Sequence, residues 1–216
     1  MKGIFITFEG VDGCGKSTQA RLLTYELEKL GYDIVLTREP GATLIGKQIA
    51  SILLDGGNKE LCPLAEALLF AADRAQHVEK VIRPALERGE IVISSRYIDS
   101  SLAYQSWGHG IPRQDVERIN ILATGNLWPD LTIVLDLEPS LGLERSGKDR
   151  LEAEGLILQE KVREAYLALA ALYPERIRIV SANGREEEVF SHVWRWISHL
   201  LVTHARRLRK PEEMRR

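Results

Sequence analysis

Gly10-Val11-Asp12-Gly13-Cys14-Gly15-Lys16-Ser17 fits the spacing G-x-x-x-x-G-K-[ST], with an apolar run before it and a helical pattern after it. Glycines let the backbone turn so that successive N–H groups converge on nucleotide phosphates at the positive end of the next helix. Lys16 then reaches the β- and γ-phosphates, and the Ser17 hydroxyl is set to ligate Mg²⁺. The expected ATP-binding segment is therefore Gly10, Val11, Asp12, Gly13, Cys14, Gly15, Lys16, Ser17 and Thr18. The competing reading is a glycine-rich turn between strand and helix that only happens to match.

A phosphate-binding loop alone does not choose between a kinase, a GTPase switch and a motor. A guanine-specific switch carries Asn-Lys-x-Asp after a later strand, and Asn58-Lys59-Glu60-Leu61 lacks the Asp and follows no predicted strand. A small kinase instead needs a second phosphate site built from several arginines. Arg38 and Arg96 both follow predicted strands, at the carboxyl edge where ligands of open α/β sheets collect.

The elements that must hold these residues are legible as alternating apolar runs and helical periods, the pattern of βαβ units around a parallel sheet. Five strands are predicted, over 3–8, 33–37, 91–94, 131–137 and 177–181. Ala20, Leu23, Leu27 and Leu30 recur at helical spacing between the first two, and Gly31 supplies a stop. Pro63 opens a long helical stretch that runs towards a second start or a kink at Pro84. Further helices are predicted over 100–107, 114–124, 156–173 and 189–201. A charged, glycine-containing stretch at about 144–154 reads as an exposed loop or lid.

The fold class is thus α/β, a three-layer P-loop fold with a five-stranded parallel sheet and a short mobile lid. One P-loop kinase domain over 1–204 and a basic, solvated tail over 205–216 account for the 216 residues. The 29 basic residues against 31 acidic ones argue against a nucleic-acid coat protein. Cys14 and Cys62 form neither a zinc motif nor a disulfide framework, which fits a reducing cytoplasm. No stretch has the roughly 18 consecutive apolar residues of a membrane span.

Several segments occur in an order that resembles the thymidylate kinases. They are Phe8-Glu9-Gly10-Val11-Asp12-Gly13, Thr37-Arg38-Glu39-Pro40-Gly41, Leu69-Phe70-Ala71-Ala72-Asp73-Arg74-Ala75-Gln76-His77, Arg96-Tyr97 with Ala103-Tyr104-Gln105, and Pro129-Asp130-Leu131 followed by Leu135-Asp136. The resemblance implies transfer of the γ-phosphoryl group of ATP to dTMP, giving dTDP for dTTP synthesis. It also implies a homodimer. The alternatives are a kinase of another nucleoside monophosphate and a nucleotide-binding protein with impaired turnover.

By the same resemblance Phe70 stacks on thymine and Arg74 hydrogen-bonds its edge, a pairing that suits a flat base. Read without it, Phe70 is equally well a core residue and Arg74 the partner of a surface carboxylate. Arg38 and Arg96 handle the acceptor phosphate, Ser101 meets the base, Tyr104 closes over the deoxyribose, and Gln105 is the weakest of the set. The catalytic residues implied are Lys16, Arg96, Asp12 and a lid cation, with Arg150 preferred over Arg145 and Lys148; a merely solvated charged loop is the other reading of that stretch. Asp12 belongs to the acceptor pocket as well, and the metal ligand is Ser17.

His77 and the other histidines are read as helix-surface residues. Asp136 is read as structural, on a strand that does not flank the phosphate-loop strand. The chain also departs from the family pattern: Ser95 stands where Asp is usual, Ala42 where a second Gly follows Pro-Gly, and Ile157 where an acidic residue is common. Ser95 removes a carboxylate near the metal, for which Glu9, Asp12 or Asp99 are the available substitutes.

Overall fold

A computed structural model of the chain describes residues 3–145, 150 and 154–213, with 207–213 as backbone alone. Five strands, β1 (Ile4–Glu9), β2 (Ile34–Arg38), β3 (Ile91–Ser95), β4 (Leu131–Asp136) and β5 (Ile177–Ser181), form one sheet in the order β2-β3-β1-β4-β5. Every pairing is parallel. All of β1 and nearly all of β3 and β4 are buried, as expected of central strands covered by helices on both faces. Each strand lies within a residue of its predicted span. The neighbour relation is different, however, because β4 pairs directly with β1 and so does flank the phosphate-loop strand.

Register decides where the chemistry collects. Ser95 pairs with both Phe8 and Arg38, so the carboxyl ends of β1, β2 and β3 reach one edge together. The chain leaves β1 in both directions across the sheet, which opens a crevice at that edge.

Helix α1 (Lys16–Lys29) starts inside the phosphate loop and buries Ala20, Leu23 and Leu27 against the sheet. Helix α2 (Leu44–Leu54) was not predicted; Thr43 caps it, accepting from the Gly46 N–H at 2.9 Å. The Pro63 stretch is α3 (Pro63–His77), a wider π-helical segment (Val78–Ile82) and α4 (Arg83–Arg88). The wider turn comes just before Pro84, which has no N–H to give an α-helical ladder.

After β3 come α5 (Ile98–Ser101), a second π-helical segment (Leu102–Gly108) and α6 (Arg113–Thr124). Helices α7 (Pro139–Arg145), α8 (Leu156–Leu172) and α9 (Glu186–Glu213) complete the order. Helix α9 extends past its predicted span at both ends and carries the basic segment onward as helix. The run Ala205-Arg206-Arg207-Leu208-Arg209-Lys210 consists of good helix formers.

Candidate active site

The phosphate loop joins β1 to α1. Gly15 precedes the helix at φ 94°, and Gly13 takes φ 70°, conformations that suit glycine. A second constraint acts at Gly13, where a Cβ would lie 2.0 Å from the Gly142 carbonyl oxygen of α7. The relation is mutual, since a Cβ on Gly142 would lie 2.2 Å from the Asp12 oxygen. Lys16 folds back under the loop, its Nζ donating to the carbonyls of Gly10 at 3.0 Å and Val11 at 2.7 Å. Ser17 is exposed in the first turn of α1, and Thr18 is half-buried beside it.

A cleft of 790 Å³ spans the carboxyl edge of the sheet, with Asp12 to Thr18 on one wall. Arg38, Phe70, Arg74, Ser95, Arg96, Ser101, Tyr104 and Gln105 line it as well, so the predicted donor and acceptor residues share one cavity. Gly10 and Val11 form the loop's base behind it.

Arg96 is one of two non-glycine residues in the left-handed region among those described, at φ 70°. Its Nη2 meets Asp12 Oδ1, and the Tyr104 hydroxyl donates to Asp12 Oδ2 at 2.9 Å. The Arg96 guanidinium also lies 5.0 Å from the Tyr104 ring centre. Gln159 of α8 completes this knot, accepting from the Asp12 N–H at 3.1 Å and donating to Asp12 Oδ2 at 2.8 Å. Burial alone would raise the Asp12 pKa, but Arg96 and Lys16, then the bonds from Tyr104 and Gln159, outweigh it and hold the carboxyl below its usual range.

Arg74 is almost completely buried. Its guanidinium donates to Glu39 at 2.8 Å, Ser101 Oγ at 2.8 Å and the Tyr97 carbonyl at 2.9 Å, and it also meets Asn120. His77 is buried too, contrary to the surface reading: Nδ1 faces Glu39 at 2.9 Å and Nε2 faces the Thr37 hydroxyl at 2.8 Å. Glu39 thus ties β2 to α3 from inside, and every guanidinium nitrogen of Arg74 has a partner in the protein although the residue lines the cleft.

The lid reading needs a correction. Arg150 lies outside the cleft, its Nε donating to the Leu53 carbonyl at 2.8 Å while Nη2 meets Glu66. Glu66 also accepts from Gln105 at 2.8 Å and faces His109 at 3.0 Å, and His109 bridges on to Glu154. Of the two described lid cations, Arg145, at the end of α7, lines the cleft. Lys148 falls outside the described residues. Of the three candidate carboxylates near Ser95, only Asp12 reaches the cleft. Asp99 is paired with Arg176 at 2.6 and 2.8 Å in the core, and Glu9 turns inward. Asp136 is held by Arg163 at 2.7 Å, consistent with a structural role although β4 does flank β1.

Sequence reasoning missed Gln159 and the roles of Glu39 and Glu9. The motif segments contain the last two but give no hint of their partners, and Gln159 stands 147 residues from Asp12.

Comparison with known proteins decides among the kinases. The family model described as thymidylate kinase matches residues 8–193. A thymidylate kinase of Bifidobacterium longum subsp. infantis is 48% identical over 206 residues, covering 93% of this chain and 88% of that one. The chain belongs to the thymidylate kinase family. A thymidylate kinase of Nitratidesulfovibrio vulgaris is 45% identical over 214 residues, 94% of this chain and all of that protein. The crystal structure of the Ehrlichia chaffeensis thymidylate kinase superimposes with a TM-score of 0.78 at 31% identity, covering 91% of this chain and 100% of that one. Five parallel strands with flanking helices are thus the architecture of a thymidylate kinase.

Proposed function

We propose that this chain phosphorylates dTMP with ATP, giving dTDP and ADP, in the cytoplasm. One observation carries the reading: the phosphate loop and the Arg38, Phe70, Arg74 and Arg96 wall face each other across a single cleft. Lys16 exchanges the Gly10 and Val11 carbonyls for the β- and γ-phosphates of ATP. Arg38 and Arg96 hold the acceptor phosphate, with Asp12 fixing the Arg96 guanidinium. Phe70 supplies the platform for the base and Tyr104 closes the sugar end. Such positioning and charge compensation account for most of the catalysis of phosphoryl transfer.

The exposed Ser17 hydroxyl, beside the loop N–H groups, suits a hard cation that takes oxygen ligands. Mg²⁺ held there supplies charge neutralisation at the transferring group. Among the lid cations, Arg145 compensates charge at the cleft, whereas Arg150 must first leave Glu66 and Leu53. Arg145→Ala therefore lowers kcat more than Arg150→Ala. The reverse ranking would assign the role to Arg150 and require the lid to move.

A coupled ADP-release assay with dTMP, dUMP, dCMP and AMP tests the main reading, with dTMP expected to be the best acceptor. Equal use of AMP overturns it. The exposed apolar side chains of α2, α3 and α6, Leu44, Ile45, Leu64, Leu68 and Leu122 among them, support a homodimer through that face. Sedimentation velocity showing a monomer at micromolar concentration would remove that part. No helix among the described residues is long and apolar enough to cross a membrane, and the near-neutral charge supports small-molecule substrates in place of nucleic acid.

A further inference from the structure

We propose that Glu9, behind the phosphate loop and out of the cleft, is the positioning residue for Arg96: its ionised carboxylate pins the left-handed turn that aims the guanidinium at the acceptor phosphate. The inference rests on the reading above in taking Arg96 to hold that phosphate.

A residue with a Cβ pays free energy to sit at φ 70° and stays there only where its surroundings fix it. The Arg96 N–H donates to the Phe8 carbonyl at 2.9 Å, and Ser94 Oγ donates to the Arg96 carbonyl at 2.8 Å. Glu9 fixes the next step of the chain. Its Oε1 accepts from the Tyr97 N–H at 2.7 Å, and its Oε2 accepts from the hydroxyls of Ser100 at 2.6 Å and Tyr166 at 2.9 Å.

The Ser100 bond connects Glu9 to the guanidinium itself. Because Ser100 gives its hydrogen to Glu9, its oxygen is left to accept from Arg96 Nη1 at 3.2 Å. A proton on Glu9 disrupts this order. On Oε1 it meets the Tyr97 N–H, donor against donor. On Oε2 it donates to Ser100, whose own hydrogen must then turn towards Arg96 or Tyr166.

The charged and titratable groups around Glu9 are Arg96 in the turn, Asp99 on α5, Tyr166 on α8 and Arg176 before β5. Complete burial, then the Asp99 carboxylate, push Glu9 up to about 7, against the Ser100 and Tyr166 bonds and the Arg96 charge. Catalysis and stability therefore respond to pH in opposite directions. A carboxyl raised in the fold binds its proton more tightly there than in the unfolded chain, so its contribution to stability is present in acid and is lost as pH rises through about 7. Positioning of Arg96 is gained over the same range.

The experiment compares wild type, Glu9→Gln and Tyr166→Phe from pH 5.5 to 9, about the span of the two relevant titrations, by dTMP-dependent kcat and by thermal unfolding midpoint. The second ionisation of the acceptor phosphate, at about pH 6, is common to all three and cancels in the ratios. Glu9→Gln is expected to lose roughly ten- to a hundredfold in kcat at the alkaline end, as a displaced catalytic group does. That loss should shrink in acid, and the variant's midpoint should lack the wild-type decline from the acid end up to about pH 7. Tyr166→Phe removes one donor from the carboxylate and should move the acid limb of kcat upward in pH while keeping its plateau.

A Glu9→Gln enzyme with the wild-type pH profile overturns the proposal. So does one that loses stability in parallel with activity at every pH, which is the mark of a purely structural group. If Glu9→Gln does not fold, an unmoved acid limb in Tyr166→Phe overturns it instead. A wild type inactive on dTMP sinks the proposed function and this inference together, whereas equal profiles in an active enzyme sink only the role of Glu9.

Discussion

The donor wall of the cleft is one uninterrupted stretch from Asp12 to Thr18, whereas the acceptor wall draws on the ends of β2 and β3, on α3, on α5 and on the π-helical segment after it. The donor wall binds through backbone N–H groups that a local conformation already aims, with Lys16 held by two loop carbonyls and the Cys14 sulfur of the same loop. On the acceptor wall, side chains bind, and they are aimed by a second set of buried side chains, above all Glu39 on Arg74 and His77. Phosphate binding is thus separable from folding, while base recognition is built into the core.

Substitutions on the two walls sharpen or break that contrast. The largest effect is expected from Glu39→Ala, which strands the Arg74 guanidinium in a site where it is 1% exposed. Breaking a buried pair by deleting one partner costs about 3 to 5 kcal/mol, so denaturant unfolding should show a large loss of stability. A stable Glu39→Ala protein would mean that the acceptor wall stands without its inner shell.

On the donor wall, Lys16→Ala should lower kcat by about a hundred- to a thousandfold, the scale of a lost electrostatic clamp. Its unfolding midpoint should stay within about 4 °C of wild type. Normal turnover would sink the phosphate-loop assignment, and a collapsed midpoint would erase the contrast.

Phe70→Ala is a milder test of the acceptor wall. The ring is half-buried at the cleft, and losing base stacking on it costs about 1 to 3 kcal/mol, read as a higher KM for dTMP with the KM for ATP unchanged. An equal rise in both would place Phe70 in the scaffold.

Between the walls stands Ser95, whose hydroxyl has no hydrogen-bond partner among the described residues. Ser95→Asp should raise kcat about tenfold, or ~1.4 kcal/mol of barrier, and lower the Mg²⁺ concentration for half-maximal rate. Superimposable Mg²⁺ curves would leave position 95 without a role at the metal.

The same contrast explains what could be read from the sequence. The donor wall was legible because its mechanism is local, and the strands were legible because each is a short run rich in apolar, β-branched residues. Helix α2 escaped because its pattern is not one-sided: Leu44, Ile45 and Ile52 are exposed while Leu53 is buried. The inner shell of the acceptor wall gave no signal, since a Glu39 that holds Arg74 looks in sequence like any Glu that follows an Arg. Arg150 was preferred over Arg145 on motif likeness, and motif likeness carries no information about the competing acceptors, Glu66 and the Leu53 carbonyl.

The contact between Gly13 and Gly142 carries a consequence for engineering. Because a Cβ on Gly13 would meet the Gly142 backbone and a Cβ on Gly142 the Asp12 carbonyl beside it, a methyl group at either position pushes α7 off the phosphate loop, and a second methyl then meets space already opened. The two substitutions should be non-additive, with the double variant scarcely worse than the Gly13 single variant, whose left-handed backbone strains any side chain in addition. A lid grafted from a relative will be accepted only if the incoming segment brings a glycine to position 142.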